Sequence, residues 1–337
     1  MKKTLLYKKL KNKIVQCEIC NHYCIILPKE RGFCGTRENQ NGILYSLVYN
    51  KVIAENIDPI EKKPFYHFMP GSHSLSIATV GCNFRCLHCQ NWQISQATKF
   101  KKQTDILGEN LSPKKIVERA LKNKCQSIAY TYTEPTIFLE YALDIMKLAK
   151  KQGLKNIWIS NGYMTKGAIE LIAPYLDAIN IDLKSFTEKF YNKYCGTKLK
   201  PILENLKLFK QKNIWLEITT LIIPTLNDDL KELKKMAEFI FQELGRNVPW
   251  HLSKFFPSYK LENIISTPIE TLIKAREIGL NAGLKYVYLG NVSNHAGSDT
   301  YCPECKALII ERIGYQIKRF DKNNNCPKCK EKIDLIN

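Results

Sequence analysis

From Ser74 onward, short apolar, β-branched or aromatic runs alternate with helical stretches, and this alternation predicts an α/β fold built on a parallel sheet. Six or seven such units are too few to close an eight-stranded barrel. The expected architecture is therefore an open, partial (β/α) barrel of six to seven parallel strands. Clustered cysteines at both ends of the chain add small Cys-rich metal-binding modules on either side of it. A length of 337 residues accommodates one large barrel with such appendages.

Residues 1–40 carry Cys17, Cys20, Cys24 and Cys34 at Cys-x2-Cys-x3-Cys-x9-Cys spacing, with His22 inside the first loop and Gly32 and Gly35 around the last thiol. Glycine suits the tight backbone of a metal knuckle. Zinc is the expected occupant, with a second iron–sulfur cluster as the rival. Residues 41–73 read as a structured connector: 43–57 is alternating and β-rich, and 58–68 holds two prolines before Pro70-Gly71. The barrel, 74–295, draws its strands from 75–80, 127–132, 156–160, 178–183, 214–223, 250–255 and 285–289. Helices are expected over 113–124, 137–151, 228–244 and 268–282. Ser112 and Thr267 precede prolines as N-caps. Residues 296–337 hold Cys302-Pro303-Glu304-Cys305 and, twenty residues later, Cys326-Pro327-Lys328-Cys329. Two such hooks predict a zinc ribbon, a geometry that rubredoxin-like iron also uses. So small a module needs the metal for its folding energy.

Apolar content of 45% and charged content of 25% are ordinary for a globular chain. No apolar run approaches ~20 residues, so no membrane span or membrane partner is expected. The lysine-rich start lacks the apolar stretch of a signal peptide, and a cytoplasmic location is expected. A net charge of +19 invites a nucleic-acid reading, but it comes from 43 lysines against 8 arginines, scattered along helices. Arginine is favoured where bidentate phosphate contacts matter. Nucleic acid is not the expected partner; an acidic protein or a small molecule fits the charge equally well.

Cys82, Cys86 and Cys89 follow the first barrel strand at Cys-x3-Cys-x2-Cys spacing. Three thiolates can hold three irons of a [4Fe–4S] cube and leave the fourth without a protein ligand. Zinc usually takes paired Cys-x2-Cys hooks, which argues against a zinc knuckle here. Other strand ends carry polar groups where a (β/α) barrel keeps its functional residues. They are Tyr132-Thr133-Glu134-Pro135, Ser160-Asn161-Gly162, Asp182-Leu183-Lys184 and Trp250-His251-Leu252-Ser253. Asp182 and Lys184 interrupt an otherwise apolar run, which favours function over a surface pair. The alternatives are a helix-start carboxylate for Glu134, a simple turn for Asn161-Gly162 and a packed strand residue for His251. Cys125 and Cys195 remain as singles and read as buried small hydrophobes, with a hydrogen-atom donor or an auxiliary-cluster ligand as the alternative for Cys195.

On these residues the chain resembles the radical SAM enzymes, which share the cluster spacing and an aromatic residue, here His88, before the last cysteine. The resemblance implies the same open barrel and a [4Fe–4S] cluster on Cys82, Cys86 and Cys89. Its open iron would chelate S-adenosylmethionine (SAM), whose reductive cleavage yields a 5′-deoxyadenosyl radical. It also implies that Glu134 receives the SAM ammonium and that Lys184, beside Asp182, pairs with the carboxylate. Asn161 and His251 would approach the nucleoside. The family's Gly-Gly-Glu-Pro is Tyr132-Thr133-Glu134-Pro135 here, so the backbone contacts of its two glycines are in doubt.

Asp182-Leu183-Lys184 and the segment 222–228 are similar to the activating enzymes of glycyl-radical proteins. The N-terminal cysteines, the 58–68 connector, the 81–91 loop and the C-terminal ribbon together resemble the radical SAM component of the AmmeMemoRadiSam system, within the pyruvate formate-lyase activating enzyme group. These resemblances imply hydrogen abstraction from a protein or peptide and an electron donor such as a flavodoxin or ferredoxin. Radical modification of a small molecule or another macromolecule is the alternative. A non-enzymatic scaffold with a relict cluster would predict damage to the SAM-contacting set, yet all three cluster thiols, Glu134 and Lys184 are present.

Overall fold

The computed structural model describes residues 1–99, 105–292 and 295–337. Its centre is an eight-stranded sheet whose spatial order follows the chain. The strands are β1 (Ala54–Pro59), β2 (His73–Ala78), β3 (Ser127–Tyr130), β4 (Lys155–Ser160), β5 (Ala178–Asp182), β6 (Trp215–Ile222), β7 (Trp250–Lys254) and β8 (Val287–Gly290). From β2 to β8 every pairing is parallel. The return helices are α1 (Pro113–Lys122), α2 (Leu139–Lys151), α3 (Lys166–Ile172), α4 (Lys200–Gln211), α5 (Leu230–Phe239) and α6 (Ile269–Asn281). Among the described residues β1 and β8 are the two edges and do not pair, so the barrel is open.

The seven expected strands are all present within a few residues. The additional strand, β1, comes from the expected connector and lies antiparallel to β2, with Ile57 opposite Leu75. The boundary expected at residue 40 falls inside a hairpin, because Arg37–Gln40 pairs with Ile43–Ser46. The turn between them is Asn41-Gly42, at φ 53° and 88°, a left-handed pair that these residue types adopt at little cost. Ser112 caps α1 as expected, accepting from Lys115 N at 3.3 Å. Thr267 does not cap α6. Its hydroxyl donates to Ile222 O (2.6 Å) and accepts from Phe255 N (2.8 Å), which ties β6 to the segment after β7. Pro268 takes the cap position instead.

Residues 60–68 fill the floor of the barrel. Ile60, Phe65 and Phe68 pack against Ala129, Ile157 and Ala178 from β3, β4 and β5. Small alanines on two of those strands leave room for the phenyl rings, each worth about 2–3 kcal/mol when fully buried. Glu217 of β6 organises the polar half of the floor. Its carboxylate accepts from Tyr66 N and His67 N, both at 3.0 Å, and from His251 Nε2 at 2.6 Å. The C-terminal segment closes the floor from outside through Arg312, whose guanidinium donates to Tyr66 O and stacks 4.0 Å over the Tyr66 ring.

One floor residue predicts an acid limit. His67 lies between the Asp334 carbonyl (Nδ1, 2.7 Å) and the Tyr288 hydroxyl (Nε2, 2.5 Å). A carbonyl only accepts, so Nδ1 carries the proton and Nε2 accepts from Tyr288; the neutral ring satisfies both. Burial pushes its pKa down to about 4, against the opposing pull of Glu217. Its unfolded value is ~6.5, so in this window the unfolded chain binds the extra proton. Stability should therefore fall as pH drops from about 6.5 towards 4. Thermal melts across that range should show the decline, and His67→Gln should flatten it; an unchanged slope in the variant would assign the acid limb to other groups.

Candidate active site

The C-terminal ends of the strands surround a cleft of about 460 Å³. Cys82, Cys86 and Cys89 line one side, and Glu134, Asn161, Asp182 and Lys184 line the strand ends. The loop bearing the thiols leaves β2 through Gly81, at φ +99°, where a Cβ would stand 2.4 Å from the Thr36 side chain. Only glycine fits that passage. Neighbouring chain then holds the loop from behind. Arg85 N donates to Cys195 O and Leu87 N to Tyr194 O, both at 2.9 Å, while His22 Nε2 donates to Asn83 O at 2.7 Å.

Burial raises the pKa of Cys82 and Cys89, while Cys86 is raised first by its contact with the Cys195 thiol and then by burial. Lys99 opposes the shift at Cys82, and Lys184 opposes it at Cys86 and Cys89. Without a cation the thiols keep their protons, so metal loading must release them. The sulfur spacing distinguishes the kinds of metal the chain can hold. Among the described residues, two groups bring three or more ligand atoms within 4.8 Å of one another: Cys302, Cys305, Cys326 and Cys329, and Cys86, His88 and Cys195. Cys82, Cys86 and Cys89 are not one of these compact groups; they line the same cleft, where three thiolates could hold three irons of a cube. The donor set fits a [4Fe–4S] cluster.

The C-terminal four are closer, with Cys302 Sγ to Cys329 Sγ and Cys305 Sγ to Cys326 Sγ both at 3.5 Å. That spacing fits one tetrahedral ion. Cys195 is fully buried, as expected of a small hydrophobe, but it also lies against a cluster-loop thiol. Cys125, just beyond α1, is buried in the core.

Glu134 is fully buried and nearly saturated. Its Oε1 accepts from Thr136 N (3.0 Å), Thr136 Oγ1 (2.5 Å) and Ser160 Oγ (2.9 Å), and its Oε2 accepts from Asn161 N (2.8 Å). Burial raises its pKa while these donors oppose the rise. The carboxylate thus pins the turn after β4 to the turn after β3. Asn161 is similarly committed: Nδ2 donates to Asn83 Oδ1 at 2.7 Å and Oδ1 accepts from Tyr163 N at 3.0 Å. It links the β4 turn to the thiol loop.

Lys184 has more freedom. Its Nζ donates to Asp182 Oδ2 at 2.8 Å, which leaves further N–H groups to face the cleft. Burial opposes its charge, but Asp182 and the nearby Cys86 and Cys195 thiols raise its pKa well above normal, so it stays cationic.

His251 is not part of the cleft lining. It sits at the second position of β7, 1% exposed, with its ring against Glu217 on the floor. The structure thus places His251 on the floor beneath the cleft, and Ser253, two residues on and one layer higher on the same strand face, lines the cleft itself. Sequence reasoning also missed Lys63 and Tyr132. The Tyr132 hydroxyl donates to Asp58, and Lys63 Nζ donates to Asp58 Oδ2 (2.5 Å) and Ser76 Oγ (2.5 Å), so the connector forms one wall of the cleft. Where the family's motif has glycine, Tyr132 takes φ +61°. The clustered charges of 58–63 were the available signal.

Residues 76–240 match the radical SAM superfamily. An uncharacterized protein of Methanocaldococcus jannaschii is 46% identical over 339 residues, with both chains covered in full. The pyruvate formate-lyase-activating enzyme of Clostridium pasteurianum is 24% identical over 169 residues, spanning 48% of this chain and 66% of that one. Streptococcus suis SuiB, solved with S-adenosylmethionine bound, shares the fold at a TM-score of 0.50 and 12% identity, over 65% of this chain and 52% of that one. With three loop thiols at the mouth of an open parallel barrel, the chain belongs to the radical SAM superfamily, in which it is distantly related to the activating enzymes of glycyl-radical proteins.

Proposed function

We infer that this protein cleaves SAM reductively at a cluster on Cys82, Cys86 and Cys89 and abstracts hydrogen from a protein or peptide, in the manner of a glycyl-radical activase. The observation that carries the reading is the single cleft joining those thiols to the Asp182–Lys184 pair. A [4Fe–4S] cluster with SAM on its fourth iron would supply one-electron cleavage of the sulfonium. The chain's part is to place and charge the site. Lys184, held by Asp182, presents N–H groups to a carboxylate, a charge-assisted contact in a partly desolvated place. Glu134 and Asn161 fix the turns that carry the wall, and Glu134 is the carboxyl group that would receive the ammonium of SAM. The likeness of the 58–68 connector to that of AmmeMemoRadiSam radical SAM proteins supports placement in that group, with zinc in the C-terminal ribbon and a small one-electron carrier as donor.

The deciding experiment is anaerobic reconstitution with iron and sulfide, then dithionite and SAM. A [4Fe–4S] EPR signal perturbed by SAM, with 5′-deoxyadenosine released, supports the reading; metal uptake with no SAM-responsive cluster overturns it. In the same assay, Lys184→Met should weaken SAM binding about 10- to 100-fold, the range of one charge-assisted hydrogen bond, while the cluster's own signal persists. Unchanged affinity would remove Lys184 from the SAM site.

A further inference from the structure

Cys17, Cys20, Cys24 and Cys34 line a small cavity with mostly apolar walls, and Cys302, Cys305, Cys326 and Cys329 form the ribbon site. A further cysteine arrangement uses neither set. Cys86 Sγ, Cys195 Sγ and one ring nitrogen of His88 all lie within 4.8 Å of one another, and all three residues are buried. Neither thiol is in a disulfide. Of the three loop cysteines only Cys86 belongs to this group, and the proposed function gives Cys195 and His88 no task.

Two segments far apart in the chain build the group. Arg85 N donates to Cys195 O and Leu87 N to Tyr194 O, both at 2.9 Å. These two bonds flank Cys86, so the backbone itself sets Cys195 alongside it. A wide helical turn over Tyr191–Cys195, ended by Gly196 at φ +71°, carries the second thiol there. His88 is 4% exposed, and its Nδ1 has no hydrogen-bond partner among the described residues. Buried ring nitrogens are ordinarily paired, so an imidazole with an unpaired nitrogen next to two thiols is suited to ligate a metal.

The donor types select the ion. Two thiolates and a neutral imidazole are a zinc set. Bonds of ~2.3 Å to sulfur and ~2.0 Å to nitrogen put tetrahedral ligand atoms about 3.5–3.8 Å apart, inside the observed limit. The two thiolates balance the charge of the ion, so the buried site carries no net charge. Zinc also outcompetes ferrous iron at a mononuclear site of this kind.

We propose that Cys86, His88 and Cys195 bind one zinc ion, with a fourth position for water or a small thiol. This ion and a cube on Cys82, Cys86 and Cys89 exclude each other, because both need the Cys86 thiolate. Each ion bound releases two thiol protons to solvent, with no change of oxidation state. The loop therefore has two metallation states, and zinc holds it in the one that offers SAM no cluster. The zinc site stands apart from the proposed function; the exclusion rests on the cluster assignment within it.

The test uses the full chain, produced without added iron, kept reduced and anaerobic, loaded with excess zinc and desalted. Zinc per chain should be about one higher in the unaltered protein than in Cys195→Ala, because the terminal sites are common to both. Cobalt loading should give the same difference, with thiolate-to-cobalt charge transfer in the difference spectrum. Should Cys195→Ala fail to fold, His88→Phe should show the same loss. Equal zinc in the unaltered chain and the variants would overturn the site. Iron and sulfide are then added to both zinc-loaded proteins. Cys195→Ala should give at least about tenfold more SAM-perturbed EPR signal than the unaltered chain. Equal, strong signals would overturn the exclusion alone. Absence of that signal from both would strike the proposed function, and the exclusion with it, while the zinc difference would still uphold the site.

Discussion

Replacing Cys86 with alanine should abolish SAM cleavage, by about a thousandfold or more, while both terminal modules keep their metal. Cys86 is 8% exposed and contacts the Cys195 thiol, with the Lys184 charge acting on it. Its loss leaves Cys82 and Cys89 as the only motif thiols, and two ligands do not fix a cube with one open corner. The Cys195 sulfur is the obvious substitute, since it lies with Cys86 and His88 inside 4.8 Å. Comparison with Cys86→Ala/Cys195→Ala isolates that possibility: equal loss in both says Cys195 does not ligate. The terminal modules draw their thiols from other segments, so zinc content and the melting profile should change little. Full cleavage by the single variant would remove the cluster from this loop.

Stripping the C-terminal metal, or Cys326→Ser, should unfold the ribbon and expose the barrel floor. The ribbon's own core is Cys302, Ile309, Ile310, Cys326, Ile333 and Leu335, of which two are metal-site thiols. So few apolar side chains do not offset the entropy of ordering ~40 residues, and structural zinc contributes roughly 10 kcal/mol or more in modules of this kind. Arg312 to Tyr66 O, Ile336 N to His67 O and Met69 N to Ile336 O would be released together. Hydrogen exchange should show protection over 300–337 falling at least about a thousandfold, with β3 to β6 keeping theirs. Ribbon protection that survives metal removal would show that contacts with the floor suffice.

The sequence by itself determined the repeating β/α pattern, the three cysteine sets and the polar strand ends. Each is a local signal: a periodicity, a ligand spacing or a charge in an apolar run. Asp182 and Lys184 were legible because their meaning lies within three residues of chain. Tertiary structure decided the rest. His251 and Ser253 share a strand face, and only the barrel's layering turns one onto Glu217 and lifts the other into the cleft. Glu134 looks available until Thr136, Ser160 and Asn161 claim its oxygens. Residues 58–68 read only as a structured connector because their partners are up to 267 residues away, as His67 is from Asp334. Cysteine spacing points to metal sites, but only the fold brings the sulfurs of one set together, as it does for Cys302 with Cys329 and Cys305 with Cys326. That closeness depends on packing from segments far apart in the chain, which no local pattern encodes.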